Sequence, residues 1–119
     1  MGNIKSFKDL VVWERAHALT LKVYEVTNTY PRSEEFGLKS QSRRSSASVP
    51  STIAEGFKRK SNKDSCHFYN IAEGSLEELR YHLILAKDLG YINQAKYNEL
   101  EQSAEEVSKL LHGWIKTQK

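Results

Sequence analysis

Two short motifs contain residue types that could do metal or nucleophilic chemistry. Glu14 and His17 have the Glu-x-x-His spacing of di-iron helical bundles, and Cys66 is followed directly by His67. A di-iron site needs several carboxylates facing the bundle interior. The spacing of apolar residues around His17 instead predicts that its side chain points away from the apolar side of its helix. Adjacent helical residues point about 100° apart, so Cys66 and His67 cannot meet as nucleophile and base. The sequence therefore predicts no enzyme, no metal site and no cofactor.

A local excess of positive charge is the remaining candidate for function. Residues 39–63 contain seven basic side chains and one acidic one, so they carry +6 while the rest of the chain carries −3. A localised positive field attracts phosphates, and arginine can bind a phosphate through two donors. The predicted nucleic-acid-binding residues are Arg43, Arg44, Lys58, Arg59, Lys60 and Lys63. The alternative interpretation is that these are ordinary solvated charges on a helix surface.

The same segment gives no sign of base recognition. Aromatic residues do not interleave with the basic ones in the sequence, as they do in proteins that stack bases. We therefore expect contacts with the phosphate backbone alone, without base stacking or sequence readout.

Apolar residues at helical spacing divide the chain into four segments. The predicted helices cover about residues 8–28, 35–60, 62–89 and 93–117, with short connections. We predict an all-α fold, an antiparallel up-down four-helix bundle that forms one domain over residues 1–119. Pro50 lies inside the second segment and predicts a kink near residues 46–50, although two shorter helices would also fit.

A repeated tetrapeptide, Ile-Ala-Glu-Gly, occurs at residues 53–56 and 71–74. A glycine inside a helix costs about 1 kcal/mol relative to alanine. Gly56 and Gly74 therefore indicate places where the helix backbone approaches a neighbour closely.

Two of the predicted helices have apolar residues on a second side. In the first and third segments this second stripe would remain after one bundle core is closed, and exposed apolar patches usually mark interaction surfaces. The predicted oligomer interface consists of Trp13, Leu21, Tyr24, Gly74, Tyr81 and Leu85. We expect self-association, although a wide stripe could also pack against two neighbours inside one bundle.

Composition limits the cellular setting. There is a single cysteine, so no disulfide can form within the chain, and no apolar run approaches the roughly 20 residues that a membrane helix needs. No signal-peptide pattern is present at the amino terminus. We expect a cytoplasmic protein with no membrane partner.

The order and spacing of several motifs resemble one bacterial family. The motifs are residues 7–13 (FKDLVVW), 35–38 (EFGL), 48–56 (SVPSTIAEG) and 72–79 (AEGSLEEL). They resemble the four-helix-bundle proteins encoded within intervening sequences of 23S ribosomal RNA genes. That family also takes in the accessory variability determinant of diversity-generating retroelements.

The resemblance implies properties that the residue pattern does not give. It implies a homopentameric barrel of antiparallel bundles. For the retroelement branch it implies binding to RNA or DNA and to a reverse transcriptase through a basic surface. For the ribosomal-gene branch it implies no established activity.

Overall fold

Four long helices make up the described part of the chain. The computed structural model describes residues 3–118. The helices are α1 (Val11–Thr27), α2 (Leu38–Phe57), α3 (Asn62–Asp88) and α4 (Gln94–Lys116). Short 3-10 helices, Phe7–Asp9 and Arg32–Glu34, precede α1 and α2. The predicted all-α four-helix fold is confirmed.

The helices form a closed square rather than a layer. Each helix packs against both of its neighbours, with α1 against α4 and α2 against α3, while within residues 3–118 the diagonal pairs bring no Cα atoms within 8 Å of each other. The bundle measures 44 × 25 × 19 Å. Short connections make successive helices antiparallel, so the start of α1, the end of α2, the start of α3 and the end of α4 lie together.

The predicted apolar seams form the core. On α1 the core residues Val12, Ala16, Leu19 and Val23 are almost fully buried. The seam of α4 is equally regular, and Leu100, Ala104, Val107 and Leu111 are each at most 1% exposed. This alternation of three and four residues places one side of each helix inward, as the sequence predicts.

Three helix ends differ from the predicted bounds by three residues, and the local backbone and capping side chains explain why; the others agree within one residue. α1 begins three residues later because Leu10 has an extended backbone. α2 begins at Leu38, where the carboxylate of Glu34 accepts a hydrogen bond of 2.8 Å from the Leu38 amide. It ends at Phe57 instead of residue 60, because Ser61 is extended and its hydroxyl caps the Asp64 amide of α3 at 3.1 Å.

Pro50 does not divide the second helix. α2 runs without interruption from Leu38 to Phe57, so the alternative of two shorter helices is wrong. Pro50 has no amide hydrogen for the carbonyl of Ser46, and the hydroxyl of Thr20 on α1 donates to that carbonyl at 2.8 Å instead. A neighbouring helix thus supplies the donor that the proline lacks.

The two glycines of the repeated tetrapeptide have different surroundings. A Cβ at Gly56 would lie 2.5 Å from Cε1 of Tyr69 and 3.1 Å from the carbonyl oxygen of Ser65, both on α3. A Cβ at Gly74 would meet no atom within 4 Å. The prediction of close backbone approach is confirmed at Gly56, whereas within this chain Gly74 faces open space.

Candidate nucleic-acid interface

The predicted basic residues do not form one continuous patch. Arg44 lies on α2 and Lys58 caps its C-terminal end fourteen residues later, which corresponds to about 20 Å along the helix axis. Lys58, Arg59, Lys60 and Lys63 cluster at the turn between α2 and α3. The candidate surface is therefore centred on this turn, and Arg44 stands apart from it.

Arg43 is already engaged within the chain. Its Nε donates to the hydroxyl of Thr27 at 2.9 Å, and one terminal nitrogen donates to the carbonyl of Tyr24 and to the side chain of Asn28. The guanidinium also lies 4.5 Å from the centre of the Tyr24 ring. These contacts satisfy acceptors at the C-terminal end of α1. Arg43 thus joins α2 to α1, which leaves less of its guanidinium for a phosphate.

The four basic residues at the α2–α3 turn are open to solvent. All four are exposed, and among residues 3–118 none of them forms a salt bridge. The Arg59 guanidinium lies 4.2 Å from the centre of the Phe68 ring, so a cation–π contact positions it. None of these four charges is therefore neutralised by an ion pair within the described residues.

The amino-terminal segment adds charge that sequence reasoning missed. Lys5 lies beside Lys58, and both residues line one pocket. A capping box holds this segment: the Asp9 carboxylate accepts from the amides of Lys5, at 2.8 Å, and Ser6, at 3.1 Å. These bonds lower the pKa of Asp9. No sequence signal joins Lys5 to Lys58, because they are far apart in the chain.

Charge is distributed unevenly along the bundle axis. We define the basic end as residues 3–9, 58–64 and 113–118, which contain seven basic and two acidic side chains, a formal charge of +5. At the opposite end, residues 25–39 and 87–99 contain four basic and five acidic side chains. Between the ends, six basic side chains are outnumbered by eight acidic ones. Two of the six are ion-paired: Arg80 bonds Glu77, Glu101 and Glu105, and Arg15 bonds Glu106. The positive field is therefore concentrated at one end.

Aromatic side chains stand among these charges, contrary to the prediction. A pocket of about 270 Å³ at the basic end is lined by Lys5, Ser6, Phe7, Ala54, Phe57 and Lys58. The Phe7 ring packs edge-on against Trp13, with ring centres 5.0 Å apart. The expectation of a surface without aromatics is wrong because Phe7 and Phe68 reach the basic residues through the fold.

The residues predicted as an oligomer interface differ in exposure. Leu21, Tyr24 and Tyr81 are 57%, 41% and 59% exposed. Gly74 is exposed, whereas Trp13 and Leu85 are half-buried and pack against the core. Within this chain the second apolar stripes are thus partly covered at Trp13 and Leu85 and open elsewhere.

A groove between α1 and α2 adds to this apolar surface. It has a volume of about 500 Å³ and is lined by large residues of α1, including Leu21 and Tyr24, and small residues of α2, including Ala47 and Ala54. Phe36, which the helical periodicity does not mark, is 94% exposed in the turn before α2. A lone aromatic in a loop carries no periodic signal, so only its surroundings reveal its exposure.

The residues considered for chemistry are not assembled into a site. His17 is exposed and stacks on Trp13 at 5.2 Å, and Cys66 is half-buried beside the exposed His67. In the part of the chain that the structure describes, no three His, Cys, Asp or Glu side chains are close enough to hold a metal ion.

His82 is the one histidine buried in the bundle among those described. It is 4% exposed, and its Nδ1 lies 3.2 Å from the hydroxyl of Ser45 on α2. Its Nε2 lies 3.7 Å from the carboxylate of Glu78. Burial lowers the pKa of His82, and Glu78 opposes that shift only in part. The contact with Ser45 and the neutral form favoured by burial indicate a structural histidine.

Fold and surface together define a class of protein, a four-helix bundle with one basic end and exposed apolar faces. Residues 8–113 match the family model described as 23S rRNA-intervening sequence protein, and the chain belongs to this family. The resemblance found in the sequence is confirmed. None of the helices within residues 3–118 is long and apolar enough to span a membrane.

The solved structures include a similar protein. It is a protein of unknown function of the S23 ribosomal protein family from Bacteroides thetaiotaomicron, determined at 1.70 Å resolution. The two are 26% identical and superpose with a TM-score of 0.83, over 89% of this chain and 99% of the other. No curated protein matches this chain.

Proposed function

We propose that this protein is a non-enzymatic, homo-oligomeric module of the cytoplasm that holds nucleic acid through its basic end. The observation that carries the proposal is the group of exposed basic side chains at the α2–α3 turn, none of which has an acidic partner within residues 3–118. Phosphates would supply the missing negative charge, and their binding would release counterions from the nucleic acid.

A binding titration with matched variants tests this proposal. The quadruple variant K58A/R59A/K60A/K63A removes four positive charges at the basic end. The control K22A/K39A/K87A/K96A removes four elsewhere, where each lysine contacts a partner inside the chain. We expect the first variant to bind labelled RNA or DNA at least tenfold more weakly than the wild type, and the control to lose less than threefold. Equal losses would contradict a local site.

The proposed self-association has its own support. The exposed apolar residues lie on two different surfaces, the α1–α2 groove and the outer side of α3 with Tyr81. Two different patches that pair head to tail generate a ring when the rotation closes. The family resemblance implies five copies. In such a ring the basic ends would repeat, and a nucleic acid that reached several of them would gain avidity.

Light scattering tests the assembly directly. We expect a particle several times heavier than the 13.7 kDa chain. Leu21 and Tyr81 are both exposed, so their replacement by Ser should leave the helix content unchanged. The double variant should form particles of lower mass than the wild type. A stable single chain at high concentration would contradict the proposal.

A second candidate function is a scaffold that binds a protein and has no affinity for nucleic acid. The fully exposed Phe36 and the apolar α1–α2 groove favour it, because both could receive a protein partner. A reverse transcriptase is the partner to test if a gene for one lies beside the gene for this chain. The scaffold predicts no binding to RNA or DNA at physiological salt.

A further inference from the structure

The pocket at the basic end combines charge with an aromatic lining. Lys5 and Lys58 line it together with Ser6, and Phe7, Phe57 and Ala54 supply the apolar surface. The pocket holds about 270 Å³, close to the lower limit for small-molecule sites. It therefore suits a small apolar group that is flanked by negative charge.

The lining is held in place by contacts inside the chain. Phe7 belongs to the 3-10 helix whose capping box Ser6 and Asp9 form, and its ring rests on Trp13 at 5.0 Å. Phe57 ends α2 and packs against the core. The Ser6 hydroxyl accepts from the Lys8 amide at 3.2 Å, and its own hydrogen remains able to donate. The pocket thus offers aromatic rings that are held in place, and the Ser6 hydroxyl can donate a hydrogen bond to the polar edge of a bound group.

We propose that this pocket holds an unpaired base of a single-stranded nucleic acid whose flanking phosphates bind the basic end. An aromatic lining stacks bases of any sequence, since every base has a π face. Bases inside a duplex are stacked and paired, and they must leave the stack before they can enter a pocket. The inference rests on the proposed function and adds a preference for single strands.

The surrounding charge favours nucleic acid as the occupant. The two lining lysines come from separate segments, and Arg59, Lys60 and Lys63 extend the positive surface along the α2–α3 turn. A nucleic acid carries a phosphate on both sides of every internal nucleotide, so each of the two lysines would have a phosphate to bind. The exposed face of the Arg59 guanidinium, opposite Phe68, could stack a further base.

Oligonucleotides that differ only in their bases give the direct test. A dT oligomer, an abasic oligomer of equal length and a duplex are titrated against the wild-type protein at one salt concentration. We expect the abasic strand to bind about tenfold more weakly than dT, because stacking is lost while the phosphates are retained. Equal affinity for dT and abasic strands, or tighter binding of the duplex, would overturn the inference.

A variant pair locates the effect. F7L keeps an apolar side chain and removes the aromatic face, and F36L makes the same exchange at an exposed phenylalanine of the opposite end. F7L should reduce dT affinity about tenfold and leave abasic binding unchanged, whereas F36L should change neither. If F7L lost affinity for both the dT and the abasic strand, the substitution would have damaged the fold, and the assignment to Phe7 would be overturned. Failure of every nucleic acid to bind the wild type would refute the proposed function itself.

The nature of the sugar and the class of ligand are separate outcomes. A ribo-oligomer run in parallel distinguishes RNA from DNA without affecting the inference. An acidic peptide with a central phenylalanine tests the competing occupant of the pocket. Two results together would assign the pocket to a protein partner and overturn the inference. The peptide would displace both dT and the duplex from the wild type, and it would bind F7L tenfold more weakly than the wild type while the affinity of F7L for dT stayed unchanged.

Discussion

The hydroxyl of Thr20 lies 2.8 Å from the carbonyl oxygen of Ser46, the acceptor that Pro50 leaves without a helical donor. Thr20 is 8% exposed and Ser46 is 1% exposed, so water cannot easily replace this bond. The contact joins α1 to α2 at the position where α2 would otherwise be weakest. It explains how a proline is accommodated inside a continuous helix.

We predict that T20V lowers the free energy of unfolding by about 1–2 kcal/mol, because the buried Ser46 carbonyl loses its cross-helix donor. Urea unfolding measures the change. In a P50A background the amide that alanine restores can donate to the Ser46 carbonyl. The same T20V exchange should then lower the free energy of unfolding by less than about 0.5 kcal/mol. Equal costs in the two backgrounds would contradict the compensation.

The two tetrapeptide glycines should respond in opposite ways to alanine. G56A should destabilise the protein by about 2 kcal/mol, because the new methyl would overlap the buried ring of Tyr69. G74A should stabilise the isolated chain by up to about 1 kcal/mol through helix propensity. Thermal and urea unfolding of both variants test this. If Gly74 also lies in the proposed oligomer interface, G74A should lower the particle mass in light scattering.

How far the sequence predicts this molecule differs between its core and its surface. Repeated helical spacing predicts the seams of α1 and α4 correctly, since burial requires a periodic pattern. The helix ends depend on single side chains such as Glu34, whose capping role has no periodic signal. Lys5 and Phe7 meet Lys58 only after folding, so a search for local charge clusters could not include them in the candidate site.

Arg43 and Arg44 should separate structure from binding. R43M should lower the free energy of unfolding by about 2 kcal/mol, because it removes charged hydrogen bonds to the end of α1. R44M should change it by less than about 0.5 kcal/mol, since Arg44 is exposed. Urea unfolding of both variants checks this pair. Equal stability of R43M and R44M would show that the Arg43 contacts are not structural.

The buried His82 should make stability depend on pH. Burial lowers its pKa in the folded state, so below the ordinary pKa of about 6.5 the unfolded chain takes up a proton that the folded chain resists. The stabilising effect is therefore complete above pH 7 and decreases as the pH falls towards 5, by at most about 1.4 kcal/mol per pH unit. Unfolding of the wild type and H82Q across this range measures the effect. Identical pH profiles for the two proteins would contradict it.

The salt dependence of nucleic-acid binding tests the central claim most directly. Affinity of the wild-type protein for a single-stranded oligonucleotide is measured between about 50 and 200 mM salt. We predict that the logarithm of the affinity falls linearly with the logarithm of salt concentration. The slope should become shallower by about one for each phosphate that the variant K58A/R59A/K60A/K63A no longer binds. Wild-type binding that does not weaken with salt, or an equal slope in the variant, would contradict a phosphate-binding basic end.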